Sequence, residues 1–355
     1  MTRKTSLSGW LPTSRKVDNR HTMAAERSER FRVLVLDDYE GMASRVPAFE
    51  KLKARAEVTV MTRRLGTNDE LAQALKGVHA LLLMRERTRF LDEQLSLAPS
   101  LKLISQTGKT TSHLDLPAAT RRGVAIAFTS SDSGTSTVEL TWGLIFALLR
   151  HIPEVDRRMR QEAWPAVAGN TLEGKTIGVI GLGRIGKEVA RFAQAFRTRV
   201  LATVKTLTDE RARQAGAERV SLETLLKESD IVTIHVPLRQ ETRGLIGEKE
   251  LALMKPGAIL INTARGPIVS ETALLHALEK GHLGGAGLDV YDEEPLPMEH
   301  PLRRLNNVVL LSHRGYAAVE ILCKRYELAM ENILNFLDGR PTNLHNPEVL
   351  AQSKS

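Results

Sequence analysis

From Phe31 onward, short apolar runs bounded by turn residues alternate with stretches in which apolar positions recur every three or four residues. The runs predict buried strands, the helical spacing predicts crossover helices, and their alternation predicts a parallel α/β chain. Two such series follow one another. The first predicts strands at Arg32 to Leu36, Glu57 to Met61, Ala80 to Met84, Lys102 to Ser105 and Val124 to Phe128, with helices such as Asp69 to Lys76 and Leu114 to Arg121 between them. The second predicts strands at Thr176 to Ile180, Arg199 to Thr203, Asp230 to His235, Ala258 to Asn262, Gly285 to Asp289 and Val308 to Leu311. Between the two lie a turn-rich segment, Thr129 to Gly134, and a helix from Thr137 to Leu149 that is apolar on most faces. A helix of that kind needs cover, so it is expected to cross between domains or to pack in a subunit interface. The last helix, Val319 to Leu337, puts Leu322, Tyr326, Ala329, Ile333 and Leu337 on one face, stops at Gly339 and Pro341, and is expected to return to the first domain. The expected layout is a leader over residues 1–30, a discontinuous domain of residues 31–130 and 316–345, and a second domain of residues 131–315. Two linkers crossing at one place would form a hinge, with a ligand cleft between the domains.

Composition narrows the function classes. With 355 residues and 42% hydrophobic content the chain can build two cores, and its longest apolar segments, such as Leu140 to Leu149 and Ala258 to Ile261, are too short or too interrupted for a bilayer. The one cysteine, Cys323, lies among Ile321, Leu322 and Tyr326, which predicts a partly buried thiol and a reducing, cytoplasmic setting. No Cys/His cluster has metal-ligand spacing, so no metal is expected. The net charge of +8 raises the question of nucleic acid. Residues 1–30 hold seven Lys/Arg against three acids, which is half the excess, and 4% aromatic content leaves no stacking platform, so neither a nucleic acid nor a membrane is expected as a partner. The leader itself has no periodicity and is expected to be disordered; a transit segment, an upstream start or an added leader all fit it.

Val179-Ile180-Gly181-Leu182-Gly183-Arg184-Ile185-Gly186 carries the sharpest chemical signal. A predicted strand runs straight into Gly-x-Gly-x-x-Gly and then into a helix marked by Val189, Phe192, Ala193 and Phe196. In that context Gly181 permits the tight turn, Gly183 lets backbone N–H groups approach a pyrophosphate, and Gly186 lets the helix lie close on the sheet. The phosphates would sit on the helix N-terminus. The second domain is therefore read as a dinucleotide-binding domain.

Four further motifs stand at predicted strand ends: His235-Val-Pro-Leu-Arg-Gln-Glu-Thr242, Ile261-Asn-Thr-Ala-Arg-Gly266, Gly287-Leu-Asp-Val-Tyr-Asp-Glu-Glu-Pro295 and Ser312-His313-Arg314-Gly315. With the glycine fingerprint, and in this order and spacing, the chain after residue 30 resembles the D-isomer-specific 2-hydroxyacid dehydrogenases. The resemblance implies two doubly wound parallel-sheet domains, a Rossmann cofactor domain and a flavodoxin-like substrate domain, and a nicotinamide cofactor, NAD or NADP. It places the catalytic arginine at Arg265, the glutamate at Glu294 and the histidine at His313. Reducing a 2-oxo acid needs a hydride at C2, a proton for the emerging alkoxide and a cation on the carboxylate and carbonyl. Arginine supplies the last with a planar fork of donors. Histidine, with an ordinary pKa of about 6.5, suits the proton transfer, and a neighbouring carboxylate orients the ring and favours its protonated form. Taken singly each residue has a plainer explanation: Arg265 could pair with a surface acid, Glu294 belongs to an acidic run, and Asp289 could cap a turn.

By the same resemblance and the strand-end rule, Gly181, Gly183, Arg184, Ile185, Gly186, His235, Pro237, Thr242, Thr263, Asp289 and Gly315 border the cofactor, Asp289 at the nicotinamide carboxamide. Substrate recognition falls to the loops Met84-Arg85-Glu86-Arg87-Thr88 and Ser105-Gln106-Thr107-Gly108-Lys109, with Arg85, Thr107, Gly108 and Arg265 as the binding residues. N–H groups near Gly108 could hold a carboxylate, and Arg85 or Arg87 a second anionic group. The chain departs from the family at Val204, where an acid normally accepts from the adenosine ribose; Lys205, with Thr203 and Thr206 beside it, could meet a 2′-phosphate, which tilts the reading towards NADP. Arg197-Thr198 replaces a helix-ending glycine, and Ser312 and Arg314 flank His313 where other residues are usual. The expected function is hydride transfer between a nicotinamide cofactor and a small 2-oxo or D-2-hydroxy acid, in a homodimer packed through the helix near Thr137 to Leu149. Arg85, Arg87 and Lys109 keep a phosphoglycerate or hydroxypyruvate/glyoxylate-type enzyme open. The corepressor-like alternative is an NAD(H)-sensing assembly protein. A formate dehydrogenase is disfavoured because that group carries an amide where Glu294 stands.

Overall fold

The computed structural model describes residues 30–130, 134–161 and 164–352. The expected leader, apart from Arg30, and residues 131–133 of the turn-rich segment lie outside the described residues.

Two compact units form. One comprises the chain up to Gln106, Thr110–Phe128 and the chain from Ala329; the other comprises Thr107–Lys109 and Thr129–Leu328. The first holds β1 (Arg32–Val35), β2 (Glu57–Val60), β3 (Ala80–Leu83), β4 (Leu103–Gln106) and β5 (Ala125–Phe128), all parallel, in the order β2-β1-β3-β4-β5. Every residue of the central β3 is buried, as expected for a parallel sheet covered on both faces. The segment around Leu344 closes the β5 edge through an antiparallel bridge to Ala127.

The second unit holds β6 (Thr176–Ile180), β7 (Arg199–Thr203), β8 (Glu218–Arg219), β9 (Ile231–Ile234), β10 (Ile259–Asn262), β11 (Gly285–Leu288) and β12 (Val308–Leu310) in the parallel order β12-β11-β10-β9-β6-β7-β8. Side chains alternate across this sheet with period two. Ile180, Val232, Ile234 and Leu260 join one core with Leu225, Leu251 and Leu274, whereas Ile177, Val179, Ile231 and Ile261 join another with Val138, Ile145 and Val189. The chain reverses its winding direction where β6 lies between β7 and β9, which is where an open α/β sheet opens a ligand crevice. β8 was not anticipated: two exposed residues carry no hydrophobic pattern.

The helix Thr135–Leu149 lies in the second unit and packs on β10, β11, β12 and the helix Arg184–Ala195, which together bury Val138, Trp142, Leu144, Ile145 and Leu149. The break expected between residues 315 and 316 falls inside the helix Val319–Leu337 instead. Residues up to Leu328 stay with the second unit, where the Gly315 carbonyl accepts from Ser136 Oγ (2.9 Å) and Thr137 Oγ1 (2.8 Å) and Arg325 lies 5.1 Å from the Tyr316 ring centre. At the end of the helix Arg184–Ala195, Arg197 takes a left-handed φ of 57° in the place of the missing glycine.

Candidate active site

β6 delivers the chain into Gly181, whose φ of 102° is closed to L side chains; a Cβ there would also meet the His235 carbonyl carbon and Val236 Cγ1, each at 2.8 Å. A Cβ on Gly186 would run into the Gly181 carbonyl oxygen. Both glycines therefore let the first turn of the helix Arg184–Ala195 sit directly over the strand end. Its N-cap, Gly183, makes no side-chain cap bond, and nothing lies within 4 Å of where its Cβ would stand. The N–H groups of a helix start, next to the sheet's switch point, are the donor set a pyrophosphate needs.

Around this turn the structure places the other candidate cofactor residues at the carboxyl ends of the strands. His235 follows β9 with Nε2 2.9 Å from Thr233 Oγ1, and desolvation pushes its pKa down to about 3, so the ring is neutral. Thr242 Oγ1 donates to the Pro237 carbonyl (2.7 Å) and accepts from the Arg239 N–H (2.8 Å), which closes the loop after β9. Thr263 follows β10 and pairs its hydroxyl with Thr141 of the helix Thr135–Leu149 at 3.0 Å. Beyond β7, Val204 is half-buried against both cores of the unit and Lys205 is exposed.

Three loops bring Arg265, Glu294 and His313 together. After β10, the Asn262 side chain folds the chain back by accepting from the Ala264 N–H and donating to the Arg265 carbonyl, both at 3.0 Å, while Arg265 Nη1 donates to the Ala264 carbonyl at 2.7 Å. Glu294 places Oε2 2.7 Å from His313 Nδ1 and accepts the Tyr291 N–H at Oε1 (3.0 Å). An ionised carboxylate only accepts, so this contact puts a proton on Nδ1 and leaves Nε2 as the ring's outward atom. Burial pushes the Glu294 carboxyl upward, but the His313 hydrogen bond and charge, the Tyr291 N–H and the nearby Arg265 charge outweigh it and hold the group below its usual range.

His313 itself has a φ of 56°, rare for a residue with a Cβ. The buried Asp289 holds it there: its carbonyl accepts from the His313 N–H at 2.8 Å, and its carboxylate oxygens accept from the Arg314 N–H (2.6 Å) and the Gly315 N–H (2.7 Å). Burial is the largest influence on the Asp289 carboxyl and raises its pKa in spite of those donors. The carboxylate is thus engaged by the turn that carries His313. Gly315 sits in the same clamp, since a Cβ there would stand 3.1 Å from Asp289 Oδ2.

Apart from Arg265, the candidate substrate residues are partly engaged by other groups. In the first unit Arg85 adopts a φ of 54° and its Nε meets Glu86 at 3.1 Å. Arg87, one of the two arginines that could reach a second anionic group, gives Nη2 and Nη1 to Glu40 at 2.6 and 3.0 Å and stacks 4.6 Å from the Tyr39 ring centre. A bidentate pair only 10% and 12% exposed already satisfies that guanidinium. Thr107 is buried, and of the N–H groups near Gly108 that could hold a carboxylate, that of Gly108 itself is donated to Thr129 Oγ1 at 3.0 Å. Asn262, Tyr291, Thr141 and Glu40 were not singled out as site residues, because their roles come from partners in other loops.

Comparison with known proteins follows the same lines. The profile of the D-isomer specific 2-hydroxyacid dehydrogenase NAD binding domain matches residues 142–315. The chain is 42% identical to a glyoxylate reductase of Thermococcus litoralis over 271 residues, covering 74% of this chain and 82% of that one. It is 38% identical over 277 residues to a D-3-phosphoglycerate dehydrogenase of Archaeoglobus fulgidus, covering 78% of this chain and spanning about half (52%) of that one. Among solved structures, a phosphoglycerate oxidoreductase from Vibrio cholerae superposes with a TM-score of 0.82 at 32% identity, covering 87% of this chain and 99% of that one.

Proposed function

We propose, since this chain belongs to the D-isomer-specific 2-hydroxyacid dehydrogenase family, that Arg265, Glu294 and His313 carry its reaction and that its substrate is a short 2-oxo acid of the glyoxylate type. The chain is an oxidoreductase acting on a small D-2-hydroxy acid or 2-oxo acid with a nicotinamide cofactor. When bound, the cofactor supplies or accepts the hydride. Gly181, Gly183, Arg184, Ile185 and Gly186 hold its pyrophosphate, and His235, Pro237, Thr242, Thr263, Asp289 and Gly315 border the rest. Arg265 holds the substrate carboxylate and polarises the carbonyl. His313, with Nδ1–H held by Glu294, gives the Nε2 proton to the oxygen as the alkoxide forms and takes it back in the oxidative direction. The observation that carries this reading is the 2.7 Å contact between Glu294 Oε2 and His313 Nδ1 beside the Arg265 charge.

Substrate size follows from Arg87. With that guanidinium engaged by Glu40, one of the two arginines offered for a second anionic group is already paired, which supports a substrate whose only charge is its C1 carboxylate over 3-phosphohydroxypyruvate. Val204 in place of an acid, with Lys205 exposed beside it, favours NADPH, because an ammonium attracts the 2′-phosphate that a carboxylate repels. The protein is read as a cytoplasmic homodimer that pairs through the helix Thr135–Leu149; among the described residues no helix is long and apolar enough to cross a membrane.

The test is a rate matrix of glyoxylate, hydroxypyruvate, pyruvate, bulkier 2-oxo acids and 3-phosphohydroxypyruvate with NADH and NADPH, on the parent and His313→Ala. Expected are turnover of the short unphosphorylated acids, a preference for NADPH and a loss on the order of 10²- to 10⁴-fold in His313→Ala. Cofactor binding without turnover across the panel would instead mark a sensor, and a preference for the phosphorylated acid would overturn the substrate assignment.

A further inference from the structure

Tyr291 touches all three loops of the candidate site, although it lies outside the group that meets the substrate. Its backbone is packed against Gly266, the residue after Arg265, so tightly that a Cβ on Gly266 would overlap the Tyr291 carbonyl and stand 2.6 Å from the Asp292 nitrogen. Its N–H donates to Glu294 Oε1 at 3.0 Å. Its phenol hydroxyl lies 2.6 Å from the carbonyl of Leu311, two residues before His313, and 3.2 Å from that of Leu288 at the end of β11. The hydroxyl has one proton, so the shorter contact is the donated bond. The ring is only 6% exposed, and burial, with Asp289 and Glu294 adding to it, raises the phenol pKa, which keeps it a donor throughout the working range.

We propose that Tyr291 is the positioning residue that sets the mutual geometry of Arg265, Glu294 and His313, and that its hydroxyl fixes the β12 end from which His313 projects. Main-chain packing on Gly266 fixes the Arg265 side, the N–H fixes Glu294, and the phenol bond fixes the third loop. A phenylalanine would fill the same space and keep the first two links. Only the third depends on the hydroxyl, and proton transfer is sensitive to displacements of that loop well below the size of a side chain.

This inference rests on the proposed roles of Arg265, Glu294 and His313. Tyr291→Phe is compared with the parent, with Gly266→Ala and with His313→Ala for kcat, cofactor KM, the acid limb of the rate profile and thermal midpoint, using glyoxylate with NADPH and NADH. Expected for Tyr291→Phe is a kcat lower by about tenfold with cofactor KM within about twofold, and an acid limb moved to higher pH as the His313 loop shifts and its contact with Glu294 loosens. Gly266→Ala, which displaces the same backbone from the other side, is expected to give the same split, and it serves as the readout if Tyr291→Phe does not accumulate as folded protein. An inactive His313→Ala beside a Tyr291→Phe with parental kcat and pH profile overturns the inference alone. A kcat that falls only together with cofactor affinity and thermal midpoint also overturns it, because that is simple destabilisation. A fully active His313→Ala removes the underlying reading instead.

Discussion

Oε2 of Glu294 lies 2.7 Å from Nδ1 of His313, and its other oxygen takes the Tyr291 N–H at 3.0 Å, so each oxygen of this carboxylate has its own partner. The imidazole is held by one edge and the opposite edge faces outward. A proton moves to or from such a ring without the ring having to reorient.

Replacing that carboxylate by its amide tests the charge separately from the shape. Glu294→Gln is expected to lower kcat by about 10- to 100-fold, or about 1.4–2.7 kcal/mol of barrier, with cofactor KM unchanged. Since Glu294 is held below its usual range, the folded pair is present at neutral pH and is lost only as pH falls through that depressed value. The acid limb belonging to it is therefore expected below pH about 4.3 in the parent and absent in Glu294→Gln. A limb at or above the ordinary carboxyl range in the parent contradicts the geometry.

Asp289 serves the same site from behind. An asparagine offers one acceptor oxygen where the Arg314 and Gly315 N–H groups now meet two. Asp289→Asn is expected to lower stability by about 1–2 kcal/mol and kcat by roughly tenfold, because the left-handed turn at His313 loses one of its restraints. Chemical denaturation alongside steady-state rates checks both.

Arg265 is expected to resist conservative replacement. Arg265→Lys keeps the charge and loses the planar fork, so the KM of the 2-oxo acid rises and kcat/KM falls on the order of 100-fold while cofactor KM stays near parental. Equal kinetics with lysine would mean that only a point charge is needed there.

Cofactor choice is testable at the end of β7. Lys205→Ala is expected to raise the KM for NADPH about tenfold and leave that for NADH within about twofold, since a single exposed ammonium contributes on the order of 1 kcal/mol to a phosphate contact. Val204→Asp is expected to reverse the preference by restoring a ribose acceptor. Parallel titrations with the two cofactors decide it.

Arg197 offers a stability test away from the chemistry. With φ at 57° and an exposed ion pair to Glu173 that contributes little, Arg197→Gly is expected to stabilise the protein by about 0.5–1 kcal/mol, seen as a rise of roughly 1 °C in thermal midpoint.

The strands were legible because a parallel sheet buried on both faces leaves uninterrupted apolar runs, and ends missed by a residue, as at Leu36, Met84 and Leu311, are where the apolar run continues past the last residue of the strand. β8 escaped notice because its pairing with Leu201 and Ala202 comes from backbone alone. The grouping of Arg265, Glu294 and His313 was readable from the family resemblance that motif order carries, with strand-end position in support. The pairing of Arg87 with Glu40, the Gly108 N–H to Thr129 and the three-way contact of Tyr291 were not, since each joins residues whose closeness only the folded sheets create. The charge of Arg87 is visible in the sequence, and its neutralising partner 47 positions away is not.

One compact unit contains the glycine turn and all three proposed catalytic side chains, whereas Arg85, Arg87 and Glu40 are built into the other. Mutational drift in the second set therefore leaves the hydride and proton machinery intact. Changes at the pair Arg87–Glu40 stay within one unit and leave every contact among Arg265, Glu294 and His313 as it is.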